Sequence, residues 1–240
     1  MADLPLHVCV PSGERAPSPA GVVGHQVQLA DEDRAELAYS DPQTGALFLL
    51  PVVSSQLMLA QVATVLSTDD VVAVADCLLA GEVPLCTPED LALLAERYRG
   101  RPGAKRLAAA IPHARVGSKS RPETLLRLQI VRASIPEPLI NCAVLDDHGT
   151  EVGTPDGQWP DRRVLYEYEG DHHRRSRGRF RTDITRVENY LDLGWDVLRI
   201  HAGDVFGDPN PMLARLARLL REGEWHPRGR HLRKVAAAEP

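Results

Sequence analysis

The sequence predicts an α/β protein in which a mainly helical N-terminal domain with short strands precedes a C-terminal domain of order α-β-β-β-α-β-α with a mixed sheet. Hydrophobic residues make up 43% and charged residues 25% of the 240 residues, which is ordinary globular usage. Helical apolar spacing dominates from Ser54, and short β-prone runs alternate with helical runs in the second half. We therefore predict domains at 1–115 and 116–225, followed by a flexible tail at 226–240.

The N-terminal domain is predicted to begin with short strands and to continue as four helices. β-prone segments in the first fifty residues are separated by the turn-rich PSGERAPSPAG. The second helix is expected to have Thr68 as its N-cap, the third to start at Thr87-Pro88, and the fourth to span Ala104 to Ala110. Because titratable groups are not concentrated in this half, we expect an accessory module that packs or binds a protein partner.

The C-terminal domain is predicted to open with a helix at Ser120. The run LINCAVLD is typical of a buried strand and DDHGT of a hairpin turn, and further strands are expected at Gly153 to Trp159, in RRVLYEYE and in WDVLRI. A helix from Phe180 to Leu193 connects the last two strands, which should therefore lie parallel. Asn210 is expected to begin a final helix.

Cellular location is predicted from apolar stretches and cysteines. The longest apolar stretches are too short to cross a bilayer, and the N-terminus lacks the pattern of a signal peptide. The four cysteines form no CxxC pair, which argues against a zinc site or a disulfide framework. We expect a cytoplasmic protein without membrane contact, whose reduced cysteines mostly lie in cores: Cys9, Cys77, Cys86 and Cys142.

Charge is distributed unevenly along the chain. The net charge is −5, which by itself argues against a nucleic-acid ligand, but the first 115 residues hold 8 basic and 14 acidic residues. The remaining residues hold 20 basic and 19 acidic ones. Such dense charge of both signs suits a site that holds carboxylates and binds a polyanion, although many solvated surfaces look similar.

Two neighbouring predicted strands offer carboxylates, with Asp156 on one and Glu167 and Glu169 on the next. Side chains alternate along a strand, so both glutamates should share a face, opposite the tyrosines between them. Burying acids this far inside a β-rich stretch costs free energy unless they bind a cation or pair with bases. Oxygen ligands that lie close together suit Mg²⁺ or Mn²⁺. The alternative is an edge strand whose solvated glutamates pair with Arg162 and Arg163.

A polar segment follows these acids directly. His172 and His173 lie where a general acid or base is useful. The arginines beyond them can hold phosphates by charge-assisted hydrogen bonds, although a solvated loop has the same composition. The basic residues of this candidate DNA-binding segment are Arg174, Arg175, Arg177, Arg179 and Arg181.

These motifs resemble a known family. The segments SRPETLLRLQIV, PDGQWPDRRVLYEYEGDHH and LDLGWDVLRI look like an endonuclease-like family of unknown function grouped with the very-short-patch-repair (Vsr) endonucleases, in the PD-(D/E)XK superfamily. The resemblance covers about residues 118–222. It implies a restriction-endonuclease-like fold and metal-dependent hydrolysis of DNA.

The resemblance also implies roles for individual residues. Asp156 and Glu167 would be the metal ligands, and the carbonyl oxygen of Tyr168 could complete the ligand set. Glu169 stands where the best-known nucleases have lysine, and a carboxylate cannot stabilise the phosphorane directly. It would have to act through metal or water, or as a base.

Other residues are implied to support the site. His172 or His173 would match a histidine that assists proton transfer. Glu123 would match a glutamate that reaches the site from the first helix, but Ser120-x-x-Glu123 is also a capping box, which we favour as its first role. Arg186 either pairs with Asp183 one helical turn earlier or contacts phosphate.

The sequence therefore predicts a Mg²⁺- or Mn²⁺-dependent DNA endonuclease with an accessory N-terminal domain. The rival hypothesis is a non-catalytic, antitoxin-like DNA-binding regulator that retains the nuclease fold. A third hypothesis is an interaction module that binds neither metal nor DNA.

Overall fold

The chain has a mixed α/β architecture, as predicted. A computed structural model describes residues 5–170 and 177–222, with backbone alone for 177–184. The N-terminal elements are β1 (Leu6–Pro11), β2 (Val22–Val27), β3 (Arg34–Ser40), β4 (Leu47–Val53), α1 (Ser55–Val62), α2 (Thr68–Leu78), α3 (Pro88–Arg97) and α4 (Ala104–Ala110). The C-terminal elements are α5 (Arg121–Arg132), β5 (Leu139–Ile140), β6 (Val144–Leu145), β7 (Glu151–Gly153), β8 (Gly157–Trp159), β9 (Val164–Glu169), α6 (Arg177–Asp192), β10 (Asp196–His201), α7 (Ala202–Phe206) and α8 (Asn210–Glu222).

Capping residues set the starts of the N-terminal helices. The predicted cap of α3 is confirmed, because the Thr87 hydroxyl accepts the Asp90 N–H and the Asp90 carboxylate accepts the Thr87 N–H. The predicted cap of α2 is wrong by one residue. Ser67 accepts the Asp70 N–H, and Thr68 is the first helical residue. Both residues have hydroxyls, and the extended backbone of Ser67 decides which one caps the helix.

The hairpin of β3 and β4 is exposed on both faces. The two strands pair antiparallel with Leu37 opposite Leu50 and Tyr39 opposite Phe48. Because side chains alternate, one face of this hairpin is entirely apolar. Its members are Ala35, Leu37, Tyr39, Phe48, Leu50 and Val52.

A four-stranded mixed sheet carries the candidate site. Its strand order is β10-β9-β8-β5, and β9 pairs parallel with β10 and antiparallel with β8. The parallel pair is joined through α6, as predicted. One face of the sheet packs on α5, α7 and α8, and the other packs on α6 and the β6–β7 pair.

Two predicted strands are each divided. LINCAVLD forms β5 and β6, because Asn141 takes a left-handed backbone with φ of 48° that interrupts the strand. The stretch from Gly153 to Trp159 is interrupted by Pro155, which has no N–H for a sheet hydrogen bond. The hairpin turn in DDHGT is confirmed, since Asp146 N–H donates to the Thr150 carbonyl and joins β6 to β7.

The third predicted strand starts later than expected, and helix α7 was not predicted. The prediction included Arg162 and Arg163, but residues 160–162 form a 3-10 turn and Arg163 is left-handed, with φ of 48°. Helix α7 is only five residues long, and its buried Val205 docks it on the sheet. So short a helix leaves little periodic signal in sequence.

Two structural features relate to the predicted cellular location: the exposure of the cysteines, and the length and apolar character of the helices. All four cysteines are free thiols, but only Cys86 is fully buried and Cys77 is exposed, so the prediction that most lie in cores is wrong. Cys77 lies with Ala73 and Val74 on the less buried side of α2, one helical turn from them. Within 5–170 and 177–222, no helix combines the length and apolar character needed to span a membrane.

We expect Gly157→Ala to destabilise the fold by about 1–3 kcal/mol, the usual cost of overpacking. A Cβ at Gly157 would lie 2.3 Å from Cζ of Tyr166, its partner across the strands, and Tyr166 is 1% exposed. Urea unfolding measures the effect. Gly203→Ala is the matched control, because a Cβ there meets nothing within 4 Å. Equal stability of the two variants would contradict the close approach.

Candidate active site

Asp156 lies immediately before β8, rather than on a strand as predicted, because the break at Pro155 delays the strand. The β8–β9 pairing joins Gly157 to Tyr166, so the direct extension of that register places Asp156 opposite Glu167. The Asp156 carboxylate accepts a hydrogen bond of 2.7 Å from the Tyr168 N–H. This hydrogen bond from the backbone holds the Asp156 carboxylate against β9.

The pKa of Asp156 is raised to about 6. Burial is the largest cause, and the charges of Glu123 and Glu167 raise this pKa further. The Tyr168 hydrogen bond and the charge of Lys119 lower it, without offsetting the rise. Asp156 is therefore close enough to both glutamates for their negative charges to oppose its own, which is an electrostatic condition that a bound cation relieves.

Glu167 is nearly buried and is held by an arginine. It is 8% exposed, and Nε and Nη2 of Arg186 lie 3.0 and 3.3 Å from its two carboxylate oxygens. The alternative of an edge strand paired with Arg162 and Arg163 is wrong. Strand β9 is internal to the sheet, and Nη1 of Arg163 donates to the Leu193 carbonyl instead.

Ser120 caps α5, since its hydroxyl accepts the Glu123 N–H, but the predicted capping box is incomplete because the Glu123 carboxylate accepts the Lys119 N–H and not that of Ser120. Oε1 of Glu123 accepts from the Ser120 hydroxyl at 2.8 Å, and its Oε2 accepts from the Lys119 N–H at 3.0 Å. Oε2 also accepts from Nδ2 of Asn141 at 2.8 Å, and the Asn141 N–H donates to the Asp156 carbonyl. Glu123 therefore links the start of α5 to the backbone of Asp156.

Glu169 ends β9 and contacts two side chains of β10. Nε of Arg199 pairs with its Oε1, and Nδ1 of His201 lies 3.5 Å from its Oε2. The parallel register places Glu167 beside Arg199 and Glu169 beside His201. Both glutamates lie on the α6 face with Leu165, and Tyr166 and Tyr168 pack on the opposite face, as alternation predicts.

A buried hydroxyl lies near Glu167. Tyr190 of α6 is 0% exposed, and its hydroxyl has no hydrogen-bond partner among the described residues. Burial and the charge of Glu167 raise the pKa of Tyr190. A Cβ at Gly153 would lie 2.4 Å from this hydroxyl, so only glycine leaves room there. An unsatisfied buried hydroxyl beside the acids leaves a donor for a water or ligand.

The donor set fits a hard divalent cation only partly. Among the residues described, no group of three or more His, Cys, Asp or Glu side chains is arranged to hold a metal ion. Mg²⁺ commonly binds through one or two carboxylates together with waters and substrate phosphate, and Asp156 and Glu167 supply such a pair. The cation would have to compete with Arg186 for Glu167.

Several predicted site residues lie outside the described structure. His172, His173, Arg174 and Arg175 fall between its two segments. Arg177, Arg179 and Arg181 belong to α6, and the side chain of Asp183, the possible partner of Arg186, is also not described. Their proposed roles stay predictions.

Sequence reasoning missed Asn141, Tyr190, Arg199 and His201. Arg199 and His201 carried a usable signal, because they share a face with Val197 on a strand expected to lie parallel to β9. Asn141 and Tyr190 carried none, since their positions depend on a loop conformation and on the packing of α6.

Comparisons with known proteins give two relatives. The chain is 29% identical over 135 residues to an uncharacterised protein of Mycobacterium tuberculosis strain CDC 1551, and equally to one of strain H37Rv. The match covers 56% of this chain and 49% of each relative, so the chain spans about half the length of the curated relatives it matches. No family model matches the sequence. No solved structure matches it either.

Proposed function

We propose that this protein is a metal-dependent DNA endonuclease of the Vsr-like type, with a restriction-endonuclease-like C-terminal domain. The observation that carries the proposal is the placement of Asp156 opposite Glu167 in the extended register of β8 and β9, where burial first and then the charges of Glu123 and Glu167 raise the pKa of Asp156. Repelling carboxylates that the backbone holds in place are the arrangement expected of a cation site.

The residues of the site have separate roles in the proposed reaction. Asp156 and Glu167 would hold Mg²⁺ or Mn²⁺, which makes water more acidic and offsets charge on a phosphate. Water oxygen attacks phosphorus, the bond to the leaving oxygen breaks, and the proton of the water passes to a base. We assign that base to His172 or His173 rather than to Glu169, because Arg199 and His201 already engage Glu169.

Cleavage of supercoiled, linear and mismatched DNA tests the proposal. We expect wild-type protein with Mg²⁺ or Mn²⁺ to nick at least one of these substrates, and Asp156→Ala to lose at least a hundredfold in rate, since removing one key electrostatic group commonly costs that much. Asp161→Ala, which removes an exposed aspartate beyond the opposite end of β8, is the matched control. Equal cleavage by Asp156→Ala and wild type would refute the proposal.

The rival proposal is a DNA-binding regulator without turnover. The pairing of Glu167 with Arg186 favours it, because an acid already neutralised by arginine has less need of a metal. Melting with added Mn²⁺ separates the two. A metal site predicts a rise in melting temperature that Glu167→Ala abolishes, whereas the regulator binds DNA with or without metal.

A further inference from the structure

The end of β10 presents two nitrogen groups to a single carboxylate. Nε of Arg199 meets one oxygen of Glu169, and Nδ1 of His201 approaches the other at 3.5 Å. The side chains of Arg199 and His201 are 48% and 58% exposed, whereas that of Glu169 is 30% exposed. The side chains of Arg199 and His201 are thus more open to solvent than that of Glu169.

This geometry is suited to a phosphate group. Arginine and histidine donate to adjacent phosphate oxygens in the same manner as to the two oxygens of a carboxylate. Because the Arg199–Glu169 pair is partly exposed to solvent, its contribution to stability is modest and an incoming anion can compete with Glu169 for the nitrogen groups. The cluster lies on the α6 face, two residues along β9 from Glu167.

We propose that Arg199 and His201 form a phosphate-binding site in which Glu169 is a resident anion that competes with the phosphate. The choice of a DNA phosphate as the natural ligand rests on the proposed function, but the phosphate site itself does not. Glu169 then weakens substrate binding by competing with the phosphate, and it does not act as a base.

Glu169→Gln and Arg199→Gln test the site in the full chain. The first probe is inorganic phosphate, read as a shift in melting temperature without added metal. The second is a short fluorescent DNA duplex, read by anisotropy in EDTA at one salt concentration. We expect Glu169→Gln to bind both probes about three- to tenfold more tightly than wild type, and Arg199→Gln to bind them more weakly by a similar factor.

The double variant and a charge control separate competition from general electrostatics. Because Glu169 competes for Arg199 and His201 together, the gain from Glu169→Gln should shrink in the Arg199→Gln background, where only His201 remains, so the two effects should not add. Glu188→Gln removes an exposed acid of α6 and is expected to change affinity less than twofold. If the effects of the single variants on affinity simply add, or if Glu188→Gln and Glu169→Gln increase affinity equally, the proposal that Glu169 competes with phosphate is overturned.

The two probes also separate this inference from the proposed function. If phosphate stabilises Glu169→Gln but no variant binds DNA, the phosphate site stands and the nuclease proposal fails. If Glu169→Gln responds to neither probe more strongly than wild type, the phosphate site itself is wrong.

Discussion

At pH 8, Asp156→Asn is expected to raise the free energy of unfolding by about 3 kcal/mol, and under the proposed function it should also abolish metal-dependent cleavage. Asparagine keeps the shape of the side chain and an oxygen for the Tyr168 N–H, but it removes the charge that burial, Glu123 and Glu167 oppose. For a chain of this size, such a change corresponds to a rise in melting temperature of about 6–12 °C. A variant that gains stability as it loses activity is typical of a site strained for function.

The pH dependence of this gain has a definite sign. The pKa of Asp156 is 3.8 for the ordinary group and about 6 in the fold, so the folded state holds the proton more tightly. Stability linked to this proton is present below pH 4 and is lost as the pH rises to about 6. The advantage of Asp156→Asn should therefore be complete above about pH 7 and should decline as the pH falls toward 4.

Urea unfolding at several pH values measures this advantage. Asp161→Asn, at an exposed position, is the control and should change stability by less than about 0.5 kcal/mol. Added Mn²⁺ should reduce the difference in the free energy of unfolding between wild type and Asp156→Asn, because only the wild type retains both Asp156 and Glu167 to bind the ion. A destabilised Asp156→Asn at pH 8, or a gain independent of pH, would show that the acids do not strain the fold.

The strand bearing the acids was predictable because its signal is local. Alternation along β9 places Glu167 and Glu169 on one face from sequence alone, and the helix between β9 and β10 indicates their parallel pairing. The position of Asp156 was predicted less well. A proline within a β-prone run divides the strand, and this effect places Asp156 before β8 rather than within it.

Which base pairs with which acid was not predictable, because each pairing depends on contacts distant in sequence. Arg186 reaches Glu167 only because α6 packs over β9, and Arg199 reaches Glu169 only in the observed register. The local sequence suggested Arg162 and Arg163 instead. Whether a glutamate is free for a cation or already paired with arginine is therefore a question that only the packed structure answers.

The junction between the N-terminal helices and α5 contains a buried ion pair. Asp76 of α2 and Arg127 of α5, each 1% exposed, lie 2.9 Å apart although 51 residues separate them. Asp76 also accepts from the Thr124 hydroxyl and the Arg115 N–H, and Arg127 donates to the His113 carbonyl. In the sequence, Asp76 is only an interruption in an apolar stretch, so the pair gives no local signal.

Arg127→Met is expected to lower the free energy of unfolding by about 3–5 kcal/mol, because it leaves Asp76 charged and buried without its arginine. The same two helices provide a control, since Arg132 pairs with Asp69 at their exposed surface and Arg132→Met should cost less than about 1 kcal/mol. Urea unfolding measures both changes, and Asp76→Asn combined with Arg127→Met should recover part of the loss. If instead Arg127→Met and Arg132→Met lower the free energy of unfolding by the same small amount, the buried pair does not hold α5 in place. A large loss confined to Arg127→Met would make the N-terminal helices part of the support for Glu123, which lies one turn earlier on α5.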